Sequence, residues 1–425
     1  MKPSKRTRSL SRQRNAGGTL VPTLLITSTL GFTLASYMSL VQQGTTATGR
    51  SQAWNLTIPV LEGGIEEALT HLNSNTSMAT DGWTSSGSVY TKQIQLGSSE
   101  AYCVTSITPG NPATIESQGF VRIPLSTSNY VSRRVRVTAS REGLFVKGLV
   151  AKGQIDLKGN NIMVDSFDSA SPSHSTGGVY DPAKKKQNGD VATNSQLINS
   201  LSVGNADIYG DVSTGPGGSV SIGAQGFVTG TVSDDMNVSF PDVSGPFASA
   251  SAPSSGTVGG TSYTYVLSSG NWKINGNLGL SGNSQRILVT GDAVLHVTGT
   301  VSLSGNAYIQ IDPSASLKLY VSGASTSLGG NGVMNSTQKA EDFQYFGLPT
   351  NTSVSFSGNA AFTGVIYAPS ASLNLGGGGS TTYDFVGAAI ANTITMNGHF
   401  NFHYDEDLAN LDSSRGYSIV SWNEF

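Results

Sequence analysis

Residues 274–321 read INGNLGLSGNSQRILVTGDAVLHVTGTVSLSGNAYIQIDPSASLKLYV, and this stretch is the most regular in the chain. Apolar residues stand two positions apart in short groups, and each group is followed by a turn rich in Gly, Asn, Ser or Asp. Such spacing places the apolar side chains on one face of a strand. The groups are Leu278/Leu280, Ile287/Val289, Leu295/Val297, Val301/Leu303, Ile309/Ile311 and Leu317/Leu319/Val321. The stretch therefore predicts a series of short strands, each with one buried face.

The same pattern begins near Leu144 and continues almost to the end of the chain. Polar stretches interrupt it at residues 169–194 and 245–262 and predict extended loops there. A β-sandwich needs longer strands, with turn signals every 8–12 residues. Strands this short are typical of a parallel β-helix, in which each coil stacks on the one before it. We therefore predict a parallel β-helix (solenoid) over residues 144–425, with a β-sandwich as the alternative fold.

The composition supports stacked β structure and narrows the classes of partner. Of the 425 residues, 52 are Gly and only 12% are charged, against about 25% in ordinary soluble domains. The formal net charge is −3, and six of the 24 Lys and Arg precede residue 19. The remainder is therefore acidic and offers no electrostatic footprint for nucleic acid. The single cysteine, Cys103, excludes an intramolecular disulfide and a cysteine metal cluster.

An apolar segment near the N-terminus indicates where the protein resides. Residues 19–41, TLVPTLLITSTLGFTLASYMSLV, carry no charge and are long enough to cross the roughly 30 Å hydrocarbon core of a bilayer as a helix. Residues 1–18 contain six Lys and Arg and no acid. Because short basic flanks stay in the cytoplasm, we predict a single-pass inner-membrane protein with a cytoplasmic N-terminus and an extracytoplasmic C-terminal domain.

Gly17 and Gly18 lie between the basic leader and the apolar run, and no small-x-small site of a secretory signal follows Val41. This order resembles the signals of type IV pilins, in which a prepilin peptidase cuts after glycine and leaves the apolar helix on the mature protein. The resemblance implies cleavage between Gly18 and Thr19, with the inner membrane and a prepilin peptidase as partners. A plain signal anchor that is never cut is the alternative.

The sequence VLEGGIEEAL at 60–69 is similar to the AEAG-x-E-x-A signature of PilX-type pilus-assembly proteins, so the resemblance extends beyond the membrane segment. Helical spacing of apolar residues predicts a packing face formed by Ile58, Leu61, Ile65 and Leu69. Pro59 predicts a kink or the start of a second helix. Gly63 and Gly64 would permit close approach of neighbouring helices, such as those of other pilin-like subunits.

Short segments later in the chain carry a second resemblance. They are VDSFDS at 164–169, NADIYGDV at 205–212, GVIYAPSA at 364–371, FVGA at 385–388 and FHYDE at 402–406. Together they resemble a β-helical module of unassigned function found on PilX-type and other envelope proteins of Gram-negative bacteria, over about residues 160–408. The resemblance implies the same β-helix that the strand pattern predicts.

Residues 74–143 predict a small β region between the helix and the β-helix. In its last strand, Val135 and Val137 alternate with Arg134 and Arg136, which places the valines inward and the arginines outward. Arginines on the solvated face of an edge strand discourage aggregation. We prefer this interpretation to a polyanion site, because no second basic strand accompanies the first.

The strand near the C-terminus offers weak candidates for a metal site. If its aromatic residues point inward, His399, His403 and Asp405 share the outer face, and two His with a carboxylate can ligate a metal. Polar residues alternating with aromatics are more often a solvated face. We therefore predict neither a metal nor another cofactor.

Two groups of acids invite comparison with polysaccharide-cleaving β-helix enzymes. These are Asp165 with Asp168, and Asp405 with Glu406 and Asp407. Such enzymes hold two carboxylates across a cleft, whereas these acids lie in Ser-rich turns or near the terminus. The sequence also lacks the motifs of serine hydrolases, zinc proteases and phosphate-binding loops. We therefore predict that the protein is not an enzyme.

These observations predict four segments: a leader at 1–18, a transmembrane and pilin-like helix at 19–73, a small β region at 74–143 and a β-helix at 144–425. The predicted function is that of a minor pilin or assembly component of a type IV pilus or related filament, which adheres or assembles through its β-helix. The first alternative is an anchored envelope protein that binds surface or cell-wall polysaccharide. A polysaccharide-cleaving enzyme is the second.

Overall fold

The computed structural model describes residues 19–74, 77–96, 100–124, 128–159, 162–357, 361–376, 383–397, 400–411 and 414–425. In this part of the chain the protein is mainly β with one long N-terminal helix, which confirms that prediction. The chain divides into two compact units, Met1–Arg141 with Gly416–Phe425, and Glu142–Arg415. The second unit is therefore an insertion within the first.

The elements are given in chain order. The first unit begins with helix α1 (Leu20–Asn73) and strands β1 (Thr84–Ser86), β2 (Val89–Gln95), β3 (Ala101–Thr108), β4 (Ala113–Arg122) and β5 (Tyr130–Gly143). The second unit contains β6 (Leu149–Ala151), β7 (Ile155–Leu157), β8 (Met163–Phe167), β9 (Val191–Thr193), β10 (Leu201–Gly204), β11 (Asp207–Ile208), β12 (Val212–Ser213), β13 (Val220–Ile222), β14 (Phe227–Val228), β15 (Val232–Ser233), β16 (Ser254–Val258), β17 (Thr261–Leu267), β18 (Gly270–Ile274), β19 (Leu278–Leu280), β20 (Arg286–Val289), β21 (Asp292–Val297), β22 (Val301–Leu303), β23 (Tyr308–Ile311), β24 (Ser316–Val321), β25 (Ser325–Leu328), β26 (Val333–Asn335), β27 (Phe343–Gly347), β28 (Ser353–Phe356), β29 (Phe362–Leu375), β30 (Tyr383–Met396) and β31 (Phe400–Asp405). The last strand, β32 (Ser414–Glu424), belongs to the first unit. Short 3₁₀ helices lie at Met78–Thr80, Pro182–Lys184, Ala340–Asp342 and Glu406–Asn410.

The six-stranded sheet of the first unit runs in the order β1-β2-β3-β4-β5-β32, and β1 to β5 form an antiparallel meander. The predicted boundary of the β-helix at residue 425 is therefore wrong, since β32 belongs to this sheet. Its presence makes β5 an internal strand rather than an edge. The arginines of β5 are paired, because Arg134 and Arg136 bind Glu116 and Arg133 binds Glu424.

Helix α1 is continuous through Pro59, so the predicted start of a second helix there is wrong. Proline removes the hydrogen bond to the carbonyl four residues earlier, here that of Asn55. Both Asn55 and Pro59 are exposed, so water can satisfy that carbonyl.

The second half of α1 packs on the antiparallel sheet of its own unit. Of the predicted packing face, Leu61 and Ile65 are buried, Leu69 packs at the margin of the core, and Ile58 is half-buried. Gly64 is the point of closest approach. A Cβ there would overlap the Thr105 hydroxyl and come within 2.5 Å of that of Ser117. The expectation that Gly64 faces another helix is therefore wrong, because β3 and β4 occupy that position.

Nearly all strands of the second unit pair in parallel, and equivalent residues of paired strands form columns in the core. One column contains, in order of pairing, Leu295, Leu319, Tyr345, Ile366, Ala389, Leu149, Val191, Val212 and Val232. All its members except Val232 are fully buried. The neighbouring strands β17, β20, β23 and β26 form a further parallel series, to which β16 adds an antiparallel hairpin.

The strands do not stack in the order of the sequence. Ala389 on β30 pairs with Leu149 on β6, and Leu149 in turn pairs with Val191 on β9. The first strands of this unit therefore lie inside the stack, between strands that come soon after them and strands from the end of the chain.

Residues 234–251, which we name the strap, contact the stack at successive levels. The contacts are Met236 N to Thr214 O (2.9 Å), Val238 N to Asn194 Oδ1 (3.1 Å), Tyr367 Oη to Pro241 O (2.6 Å) and Lys273 Nζ to Ala248 O (2.7 Å). The predicted loop at 245–262 is thus partly strap and partly the β16–β17 hairpin.

Candidate functional site

The N-terminal half of α1 is the first candidate site. Every residue from Thr19 to Thr48 is exposed, including large apolar side chains such as Leu30 (63%) and Phe32 (76%). Among the described residues, α1 is the helix that is long and apolar enough to cross a membrane. An exposed apolar surface as large as this half of α1 indicates an apolar partner, which is either lipid or other helices.

The threonine side chains between Leu20 and Val41 are hydrogen-bonded within the helix itself. The hydroxyls of Thr23, Thr27 and Thr29 donate to the backbone carbonyls four residues earlier, at 2.8–2.9 Å. A bilayer demands such internal pairing, because it supplies no hydrogen-bond partners. Of the predicted processing site, Thr19 immediately precedes the helix, whereas Gly18 lies outside the described residues.

A buried cluster of ionisable groups around His403 on β31 is the second candidate site. His403 Nδ1 lies 2.6 Å from Asp165 Oδ1 on the neighbouring strand β8, and His403 Nε2 lies 3.4 Å from Asp384 Oδ1 on β30. The ring of Tyr180 stacks on the imidazole with 3.7 Å between centroids, and its hydroxyl donates to Asp165 Oδ2 at 2.8 Å.

The position of His403 differs from the sequence prediction. Its side chain is 1% exposed and that of Asp405 is also buried, so the predicted solvated face is wrong. The segment between β8 and β9 is the predicted loop, with one short 3₁₀ helix at Pro182–Lys184, and it folds over this strand face. Lys186 binds Glu406 and Tyr180 covers the imidazole, which excludes water from the strand. His399 lies outside the described residues.

The neighbours of His403 set its proton affinity. Burial by itself lowers the pKa of His403, but hydrogen bonds to Asp165 and Asp384 outweigh burial and raise it. The pKa of Asp384 is lowered, mainly by its hydrogen bond to His403. The cluster therefore stabilises the charged imidazolium between two carboxylates.

We expect the contribution of His403 to stability to depend on pH. Because its folded-state pKa is raised, the stabilisation is fully present below the ordinary value of 6.5 and is lost as pH rises through the raised value. The melting temperature of His403→Gln should fall below that of the unmodified chain by roughly 2–4 °C at acidic pH, and the difference should shrink in alkali. His174→Gln, on the covering segment, is the matched control. A difference that stays constant from about pH 5 to pH 9 would contradict this assignment.

The acids considered for catalysis are all engaged within the protein. Asp165 binds His403 and Tyr180, while Asp405 Oδ1 accepts a hydrogen bond from the Ser169 backbone N–H at 3.0 Å. Burial raises the pKa of Asp405. Glu406 accepts a hydrogen bond from Ser166 Oγ at 2.8 Å and pairs with Lys186. These contacts hold the covering segment over the strand, while Asp405 and Asp407 also line a cavity together with Glu341.

A metal could not be assigned to these residues. Within the described part of the chain, no group of three or more His, Cys, Asp and Glu side chains is arranged to hold a metal ion. His403 directs both ring nitrogens toward carboxylates, so neither is free as a ligand.

Sequence reasoning did not connect the members of this cluster. The sequence indicates Asp165 only as a candidate catalytic acid, and no motif points to Tyr180 or Asp384. The signal for Tyr180 was an aromatic residue within a polar segment, and such a residue needs a surface to pack on. The surface on which Tyr180 packs forms only when β31 pairs with β8, and these two strands are far apart in the sequence.

Comparison with protein families gives a match over part of the second unit. Residues 241–411 match the model of a family described as a domain of unknown function (DUF7305). The matched segment contains His403 and Asp384, whereas Asp165 and Tyr180 lie before it. No curated protein and no solved structure matches the chain significantly.

Proposed function

We propose that the protein is a pilin-like subunit, a minor pilin or assembly component of a type IV pilus or related filament. Residues 19–41 hold it in the inner membrane before assembly, with the basic leader in the cytoplasm. The second unit lies outside the cytoplasm and presents a surface for adhesion or assembly, without enzymatic activity. Its assembly partners are other pilin-like subunits.

The observation that carries this proposal is the division of α1 into two halves. From Gly49 onward, the helix buries one face within its own unit, with the closest approach to the sheet at Gly64. From Thr19 to Thr48, the same helix is exposed on every side, and its residues 19–41 form the uncharged apolar run. A helix packed on its own sheet at one end and exposed at the other suits both stages of the proposed function. Its exposed half contacts lipid before assembly and the helices of neighbouring subunits after assembly.

We further propose that the second unit is a parallel β-helix. The support is the register, because three strands of one coil pair in parallel with three strands of the next. Leu278 on β19 pairs with Val301 on β22, while Trp272 on β18 pairs with Leu295 on β21. The columns of buried aliphatic residues are the expected core of such a coil.

The membrane-anchored envelope protein that binds polysaccharide is the alternative, and processing distinguishes the two. If the chain is a pilin-like subunit, its mature form begins at Thr19. Removal of residues 1–18 discards six cations, which could not follow the helix through hydrocarbon without a large penalty.

The test is the intact mass of the protein from its native membrane. We expect a mass that lacks residues 1–18, and we expect Gly18→Asp to abolish cleavage and keep the protein in the inner membrane. Ser9→Asp adds the same charge to the leader without touching the cut and should be processed normally. A wild-type mass that retains residues 2–18 would favour the anchored envelope protein.

A further inference from the structure

One end of the stack in the second unit is open. The column described above passes from Val191 to Val212, both fully buried, and ends at Val232, which is 54% exposed. Val232 occupies a core position, so its exposure means only that no further coil covers it. Residues equivalent to Val232 on other sides of the coil are Val220, which pairs with Leu201, and Val228, which pairs with Ile208.

The two ends of the stack differ. At the β13–β15 end, Ile222 is 45% exposed and Phe227 is 39% exposed, in addition to Val232. At the other end, Leu278 and Leu280 on β19 are each 2% exposed. We name the coil of β13, β14 and β15 the open coil. A terminal coil ordinarily needs a polar cap to stay soluble, and the open coil presents apolar side chains instead.

The open coil also presents strand edges. Its carbonyls at Ser219, Thr231 and Ser233 accept hydrogen bonds from the preceding coil. Successive backbone groups of a strand point alternately to its two sides, so the groups between these face the open end. Among the described residues, no strand pairs with that side of β13, β14 or β15. An occupant with strand edges and apolar surface satisfies both features of the open coil, which neither lipid nor sugar does.

The charge of the open coil favours a second copy as that occupant. Residues 213–233, STGPGGSVSIGAQGFVTGTVS, contain no charged side chain, and the nearest acids that follow, Asp234 and Asp235, belong to the strap, so the facing coils themselves carry no like charges. A two-fold axis brings the same surface of both copies together and satisfies the edges of both. A second open coil also offers three edges at the spacing of the first, which a single strand from another protein does not.

We propose that two copies of this chain associate end to end through the open coil, β13–β15 against β13–β15. Val220, Val228 and Val232 of each copy then become core residues of one continuous stack. This inference rests on the proposed β-helix and the parallel pairing of its strands, and it does not depend on the assignment as a pilin-like subunit.

The test compares full-length variants in detergent by sedimentation. Val232→Lys places a charge at the centre of the interface and should weaken dimerisation at least about tenfold. Val258→Lys, at a valine 43% exposed on β16, is the matched control and should leave the dimer unchanged. All variants share α1, so association through the membrane helix does not distinguish them. Circular dichroism and thermal melting check that each variant folds.

Cross-linking locates the interface independently. Cys103 is buried, so a cysteine introduced at exposed Ser221 on the open coil is the reactive thiol among the described residues. A short bismaleimide should join two copies of Ser221→Cys and should not join copies of Ser255→Cys, the control on β16. Equal sedimentation of the unmodified chain and Val232→Lys would overturn the proposal. So would equal cross-linking at both positions, or a chain that remains monomeric without cross-linking at Ser221.

Discussion

Gly64→Val should destabilise the first unit by about 3 kcal/mol or more, the largest effect we expect from an apolar substitution in this protein. The added side chain would overlap the Thr105 hydroxyl, and the helix would have to withdraw from β3 and β4 to admit it. Withdrawal would also break the close contact between the helix and Gly119 on β4. That contact is so tight that a Cβ at Gly119 would lie 2.7 Å from the Thr57 carbonyl oxygen. Thermal melting of the full-length protein in detergent measures the loss.

Gly63→Val is the matched control. It introduces the same side chain one position earlier, where a Cβ meets only Leu96 at an ordinary 3.6 Å. Both substitutions change intrinsic helix propensity equally, so the difference between them reports the helix–sheet contact alone. If Gly63→Val and Gly64→Val were equally destabilising, the helix would not be packed on the sheet as described.

Leu303→Asp should destabilise the second unit by about 4 kcal/mol, since it replaces a buried leucine with a carboxylate that has no partner. Leu303 on β22 is 1% exposed and stacks between Leu280 and Leu328 of adjacent strands. An unpaired carboxylate between two leucines would also disrupt the pairing of β22 with β19 and with β25. The unfolding transition followed by circular dichroism measures the effect.

Ser302→Asp is the control for this substitution. Ser302 lies on the same strand with its side chain exposed, so the same carboxylate remains in water there. We expect a change within about 0.5 kcal/mol. Equal losses at residues 302 and 303 would mean that the inward and outward faces of β22 are not those described.

The sequence allowed the inward faces of the strands to be predicted, because alternation acts locally. Leu303, Ile309 and Leu319 were predicted to face inward, and all three are buried. The order of stacking could not be predicted. Nothing near Leu149 indicates that its neighbour is Ala389, since aliphatic residues of similar size suit many registers.

The sites were harder to predict because they depend on contacts between distant segments. His403 and Asp405 alternate with aromatics, a pattern that normally indicates a wet face, and only the covering segment with Tyr180 makes that face dry. Gly64 was expected to serve contact with other helices. Small residues indicate close approach but do not identify the partner, and here the partner is the sheet that contains Thr105.

The stacking order has a consequence for how the chain is made. Synthesis delivers β5 and β8 early, yet one neighbour of each comes from the end of the chain, β32 for β5 and β31 for β8. Until the last residues emerge, both strands keep a bare edge, which is the feature most prone to wrong pairing. A nascent chain interrupted before residue 400 therefore lacks the closing strand of both units. Completion of these pairings therefore requires synthesis to pass β31 in the second unit and β32 in the first.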